Sequence, residues 1–235
     1  METHEQSPRG YSAKLHRAQN TRHCCRGGHD TIFLRKRGYN VIPNEVETPL
    51  LAHLQANLRS ADEDVAALSI DWRDFLTSPE LLDESYEVLF SLGNAFPTYL
   101  FSDAERIKAL QGLWRILKPG GTLFFDTRNY DYILDHAAEI LKDPEHNFPR
   151  TYRTTYINPD ILALPTEISR AKVRLRYKNI KTKTATYIDV CPLTIEDIRH
   201  LVEQTLGTVE LKIYYDYQAT RPEHFDFVQY AIKKP

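Results

Sequence analysis

Apolar positions along this chain come in short runs whose period changes in a regular way. Tyr86-Glu87-Val88-Leu89-Phe90-Ser91-Leu92 is nearly continuous and runs out into Gly93-Asn94, the pattern of a strand buried on both faces. Ile107, Leu110, Leu113, Trp114 and Leu117 then recur at helical spacing behind a Ser102-x-x-Glu105 capping box, which predicts a helix over 102–117. Pro119-Gly120 reads as a tight turn, because Pro fixes its own φ and Gly reaches φ > 0. Thr122-Leu123-Phe124-Phe125 is a second buried strand, followed by Asp126-Thr127-Arg128-Asn129-Tyr130. Two strands joined by one helix are parallel neighbours in an open α/β sheet, where ligands bind beyond the carboxyl ends of the strands. Asn94 and Arg128 stand at those ends.

The same reading extends in both directions. Residues 30–37 form a short helix with a basic last turn and Gly38 as its stop, 39–42 a strand, and Glu45 follows it. A helix over 49–58 presents Leu50, Leu51, Leu54 and Leu58 to the sheet, and a third strand is predicted at 65–70, ahead of Asp71-Trp72. From Tyr152 the chain is richer in strand: Val173, Leu175 and Tyr177 alternate and face Thr184, Thr186 and Ile188 across a hairpin around Asn179. Thr194 caps a helix with Ile195, Ile198, Leu201, Val202 and Leu206 inward, ended by Gly207. Strands at 209–215 and 225–232 close the pattern and are antiparallel to each other. By contrast, residues 1–26 are polar and basic without apolar periodicity, so this segment is expected to be poorly ordered or degenerate.

Composition narrows the class. A chain of 235 residues suits one α/β domain, here 27–235, with an extension around 150–192. A formal charge of −2 argues against a nucleic-acid footprint. Three cysteines, two of them adjacent, do not make a secreted disulfide framework, so a reducing, cytoplasmic setting is expected. The sequence has no apolar run of membrane-spanning length and no signal-peptide core after Met1, and no membrane partner is expected. His23-Cys24-Cys25 with His29 invites zinc, but adjacent cysteines point apart in an extended chain and no second ligand pair follows, so no metal is expected. The absence of Gly-x-Gly-x-x-Gly at a strand–helix junction weighs against a dinucleotide-dependent oxidoreductase.

Three segments together carry a more specific signal: Leu92-Gly93-Asn94-Ala95-Phe96, Leu117-Lys118-Pro119-Gly120-Gly121, and Asp126-Thr127-Arg128-Asn129-Tyr130-Asp131-Tyr132-Ile133-Leu134. They resemble the glycine N-methyltransferase and glycine/sarcosine N-methyltransferase family, a branch of the class I S-adenosylmethionine-dependent methyltransferases, from about Gly27 onward. The resemblance implies a Rossmann-like α/β fold: an open, mostly parallel sheet with an antiparallel last strand and a small β-rich extension over the substrate. It also implies S-adenosylmethionine as cofactor and N-methylation of glycine, sarcosine or dimethylglycine. The family connects such steps with betaine synthesis or control of methyl-donor levels, and a homo-oligomer is left open.

Residue by residue, the family's first strand ends in Asp-x-x-Cys-Gly-x-Gly. Aligned on Cys25 and Gly28, this chain has Arg22 for the acid and Arg26 for the first glycine, leaving Gly27 and Gly28 to the cofactor turn. No counterpart of the family's N-terminal lid is recognisable. The first strand and lid are therefore expected to be degraded or missing through truncation, a disturbed frame or degeneration. The alternative function is a catalytically impaired pseudo-methyltransferase or binding module on the same fold; a methyltransferase for another acceptor is a further one. The interval from Gly28 to Glu45 matches the family's interval to its ribose-binding acid, the plainer alternative being a solvated glutamate before a helix start. Asp71 and Trp72 match a pair beside adenine, or else are a loop acid and a packing tryptophan; Leu92 completes the cofactor wall. Arg128 suits a substrate carboxylate, which a guanidinium grips through two parallel hydrogen bonds, and Asn94 suits the amine through its side-chain carbonyl. Their alternatives are a surface ion pair and a turn residue. Tyr177 matches a tyrosine at the family's reaction centre, or is ordinary core.

Overall fold

The computed structural model describes residues 21–24, 28–149 and 160–235. In chain order the elements are β1 (Thr21–Cys24), α1 (His29–Arg35), β2 (Val41–Asn44), α2 (Thr48–Ser60), a 3-10 turn (Trp72–Asp74), β3 (Tyr86–Ser91), α3 (Asp103–Ile116), β4 (Leu117–Arg128), α4 (Tyr130–Asp135), α5 (Ala137–Lys142), α6 (Pro144–Asn147), β5 (Ile161–Ile168), β6 (Val173–Asn179), β7 (Ala185–Val190), α7 (Ile195–Leu206), β8 (Glu210–Tyr215) and β9 (Phe227–Lys233). One sheet has the order β2-β1-β3-β4-β9-β8 and a second the order β5-β6-β7. β2, β1, β3 and β4 are mutually parallel, and β9 runs antiparallel to β4 and β8. This is the open, mostly parallel α/β sheet with a reversed last strand that the resemblance implies, β9 being the one reversed strand of the main sheet.

Local chemistry explains the best-formed part. Ser102 accepts from the Glu105 backbone N–H and Glu105 reaches back to the Ser102 N–H, so the capping box starts α3 as expected. β4 begins at Leu117, earlier than expected, and its register against β3 jumps from Tyr86–Leu117 to Val88–Thr122. The Pro119-Gly120 turn is thus a bulge inside the strand, with Gly120 at φ 76°. Between the sheet and helices α3 and α7 lies the main core, in which Trp72, Phe96, Phe125 and Tyr230 form a chain of ring contacts with centroids 5.0–5.5 Å apart. A second core joins Tyr130, Ile133, Ile140 and Phe148 to the inward face of the small sheet at Val173, Leu175 and Val190.

Five expectations are corrected. Residues 21–24 form β1, a short strand between β2 and β3, where a degraded or missing strand was expected; pairing with a neighbour on each side compensates for the weak apolar pattern. No strand forms at 65–70, where a single parallel bridge joins Asn44 and Leu68. β2 lies at Val41–Asn44 instead of 39–42. Leu50 is exposed while Leu54 and Leu58 are buried, because α2 covers the sheet edge with a narrower stripe than the leucine pattern implied. The hairpin partners are also displaced by two residues, to Tyr177–Thr186, Leu175–Ile188 and Val173–Val190; an even shift keeps every side chain on its face.

Candidate active site

The ends of β3 and β4 are joined through one carboxamide. Asn94 is buried and left-handed at φ 60°, a conformation asparagine tolerates better than most residues. Its backbone N–H donates to Asp126 Oδ1 at 2.7 Å, its Oδ1 accepts from the Arg128 backbone N–H at 3.0 Å, and its Nδ2 donates to the Tyr130 hydroxyl at 2.9 Å. A backbone N–H can face only the oxygen of the carboxamide, so this arrangement fixes which way round the side chain sits. Arg128 is itself buried, with its guanidinium carbon 5.8 Å from the centre of the Phe148 ring.

Four residues of the run Asp126 to Asp131 have structural hydrogen bonds through their side chains. Asp126 holds the Asn94 N–H, and Asn129 caps α4 through the Tyr132 N–H while donating to the Phe225 carbonyl. Tyr130 reaches Asn94, and Asp131 accepts from the Ile195 N–H at the start of α7. Burial pushes the Tyr130 phenol well above the ordinary tyrosine value, so it stays protonated and neutral.

A cavity of about 500 Å³ opens beyond β2 and β3. Of the residues expected to bind a cofactor, Glu45, Asp71, Trp72 and Leu92 all line it. Leu92 and Ala95, both in its wall, flank the Gly93-Asn94 dipeptide, so the cavity borders the segment that carries Asn94. Glu45 is buried, and its Oε1 accepts from the N–H groups of Val46 and Glu47, which aims the carboxylate. Asp71 caps the Trp72–Asp74 turn and is gripped by Arg73, with Oδ2 2.6 Å from Nη2 and Oδ1 2.9 Å from both Nε and the Arg73 backbone nitrogen. The Arg73 hydrogen bond holds the Asp71 carboxyl below the usual carboxylate range. This carboxylate faces the cavity already partnered, which the sequence reading did not foresee.

Other expected residues are placed elsewhere. Gly28 is buried at φ 77° before α1, and a Cβ there would sit 2.5 Å from Leu54 Cδ1; the glycine serves the approach of α1 to α2 and is not in the cavity wall. Gly27, Cys25 and Arg26 lie outside the described residues. Tyr177 packs against the second core, to which Tyr130 also belongs, and is not among the residues of the cavity wall. Among the described residues no cluster of His, Cys, Asp and Glu could hold a metal ion, and no helix is long and apolar enough to cross a membrane.

Three residues emerge only from the structure. Asn44 clamps the 68–70 segment to the sheet edge, donating from Nδ2 to the Ile70 carbonyl at 3.0 Å and accepting the Ile70 N–H on Oδ1 at 3.1 Å. Ile188 brings the small sheet into the cavity wall, and Tyr130 completes the Asn94 cluster. Asn44 beside Glu45 at a strand end was a readable signal; the pattern held none for Ile188.

No family model matches the chain. It is 26% identical to a glycine/sarcosine N-methyltransferase of Aphanothece halophytica over 88% of this chain and 72% of the relative, and equally so to the enzyme of that name from Halorhodospira halochloris. An S-adenosylmethionine-dependent methyltransferase of Clostridium acetobutylicum superposes with a TM-score of 0.68 at 12% identity, covering 92% of this chain and 84% of that one. The fold is that of the class I methyltransferases.

Proposed function

We propose that this chain transfers a methyl group from S-adenosylmethionine to the amine of a small amino acid: glycine, sarcosine or dimethylglycine. The observation that carries the reading is the direct hydrogen bond between the Arg128 main chain and the Asn94 carboxamide, at the ends of adjacent parallel strands and next to a cofactor-sized cavity. The cavity suits the cofactor's chemistry. Glu45, Glu47 and Asp71 bring carboxylates to a wall shared with Trp72 and Tyr99, and its cation, Arg73, is engaged by Asp71 and Glu105. A cationic, aromatic ligand carrying a ribose diol is complementary to such a wall.

S-adenosylmethionine supplies an electrophilic methyl on a positively charged sulfur. With the donor bound, a deprotonated acceptor amine would form the N–C bond as the C–S pair returned to sulfur; the product from glycine or sarcosine would then release one proton to solvent, and the quaternary product from dimethylglycine would release none. Little covalent assistance is needed, so the residues act by positioning and by excluding water. In this reading Glu45 accepts hydrogen bonds from the ribose, Asp71-Trp72 border the adenine and Leu92 completes the wall, while Gly28 supports the cofactor only indirectly, through the packing of α1 on α2. The Arg128 guanidinium grips the substrate carboxylate, and Asn94 Oδ1 offers its second lone pair to the amine N–H of glycine or sarcosine; dimethylglycine, which has no N–H once neutral, is held through its carboxylate alone. Tyr177 borders the substrate from the second core.

A methyl-transfer assay over glycine, sarcosine, dimethylglycine and glycinamide tests this. Turnover of at least one of the three acids, with glycinamide at least tenfold poorer, is the expected result, since the amide removes the charge that Arg128 needs. Equal use of glycinamide would contradict the carboxylate grip, and binding of S-adenosylhomocysteine without any transfer would favour the binding-module alternative.

A further inference from the structure

Tyr130 joins the small-sheet core to the strand ends of the main sheet. Its ring is 1% exposed and belongs to the core that packs Phe148, Val173 and Leu175 of the small sheet, while its hydroxyl reaches the other way to Asn94 Nδ2. Because the Arg128 N–H already dictates that Oδ1 faces β4, Nδ2 must point at the phenol, and the phenol must accept. Without that acceptor a buried N–H pair would be left unmatched, and a rotated carboxamide would place NH2 against the Arg128 N–H. The Asn94 side chain is therefore locked from both ends, one lock from β4 and one from the core of the small sheet.

We infer that Tyr130 is a positioning residue for the amine: through Asn94 Nδ2 it holds the carboxamide oxygen toward the acceptor nitrogen and links that orientation to packing of the small sheet. This deepens the function proposed above and rests on it. Tyr130 acts through Asn94 and needs no contact with the substrate.

The test is a double-mutant cycle with Tyr130→Phe and Asn94→Ala in the full chain. Tyr130→Phe is expected to lower kcat/KM for the amino acid about tenfold, the effect of one misdirected buried hydrogen bond. It should leave the S-adenosylhomocysteine dissociation constant within about twofold. In the Asn94→Ala background the same change should cost less than about twofold, because the group through which it acts is gone. A full tenfold loss in that background would overturn the inference. A second readout needs no substrate: exchange of the Asn94 side-chain amide protons with solvent, followed by nuclear magnetic resonance and assigned by loss of the signal in Asn94→Ala. Exchange at least about tenfold faster in Tyr130→Phe supports the lock, and unchanged exchange overturns it. If no amino acid is methylated the proposed function fails, while the exchange measurement still decides the role of Tyr130.

Discussion

The two sides of the main sheet are built to different standards. On one side β3 pairs with β4 at five positions and β4 with β9 at seven, and the loops beyond them are fixed by hydrogen bonds between buried groups at Asn94, Asp126, Arg128 and Tyr130. On the other, β1 and β2 have four residues each, and a third strand is reduced to the Asn44–Leu68 bridge with the Asn44 clamp on Ile70. In the function proposed above, the first side sets the geometry of the substrate groups and the second forms much of the cavity assigned to the cofactor. A reaction governed by positioning needs the tighter tolerance where the nucleophile sits, since small displacements there cost rate. The edge only has to hold a nucleotide-like ligand between a carboxylate and an aromatic ring.

The largest effect belongs to the tight side. Asn94→Ala removes three roles at once and places alanine at positive φ, so it should lower kcat/KM for the amino acid by about a hundredfold or more. It should also destabilise the fold by about 2–4 kcal/mol, read by denaturant unfolding. Next comes the edge: Asn44→Ala leaves the Ile70 N–H and carbonyl without their clamp and should cost about 2–3 kcal/mol. Its signature is regional, with faster amide exchange over 65–71 and weaker S-adenosylhomocysteine binding while exchange in β4 is unchanged. Equal exchange changes in both regions would erase the contrast between the two sides.

Smaller effects sharpen the contrast within the cavity. Glu45→Gln keeps the shape and removes the charge, so S-adenosylhomocysteine affinity should fall about tenfold with kcat nearly unchanged at saturation. Arg73→Gln should change stability by less than about 1 kcal/mol, because the Asp71–Arg73 pair is partly exposed. Its pH dependence has a definite sign. The Asp71 pKa is depressed in the fold, so the pair stabilises fully above the unfolded value of about 3.9 and loses its effect as pH falls through the folded value. Parent and variant unfolding curves should therefore differ at neutral pH and converge in acid.

What could be read from the sequence follows the same division. β3, α3 and β4 were legible because a long apolar run, a capping box and a Pro-Gly turn agree with one another. The 65–70 segment was misread because alternating apolar residues describe a strand whether or not a neighbour completes the ladder; here Asn44 supplies side-chain bonds where main-chain bonds were expected. β1 was missed because its polar residues carry no strand period, and its identity comes from the two strands it lies between. Glu45, Asp71, Trp72 and Leu92 were singled out from spacing and the family resemblance and share one cavity wall; Asn94 and Arg128 were singled out beyond strand ends and are hydrogen-bonded to each other. Tyr130 stood in the sequence only as part of the run after β4, with no role of its own, and only coordinates reveal where its hydroxyl points.

The central claim is that Arg128 serves the amino acid and not the cofactor, and Arg128→Lys tests it most directly, with kcat/KM for the amino acid and the S-adenosylhomocysteine dissociation constant measured on one preparation. Lysine keeps the charge and loses the planar fork, so the account predicts a fall in kcat/KM of about ten- to a hundredfold with the dissociation constant within about twofold. A parallel loss of both, or no loss of either, would contradict it.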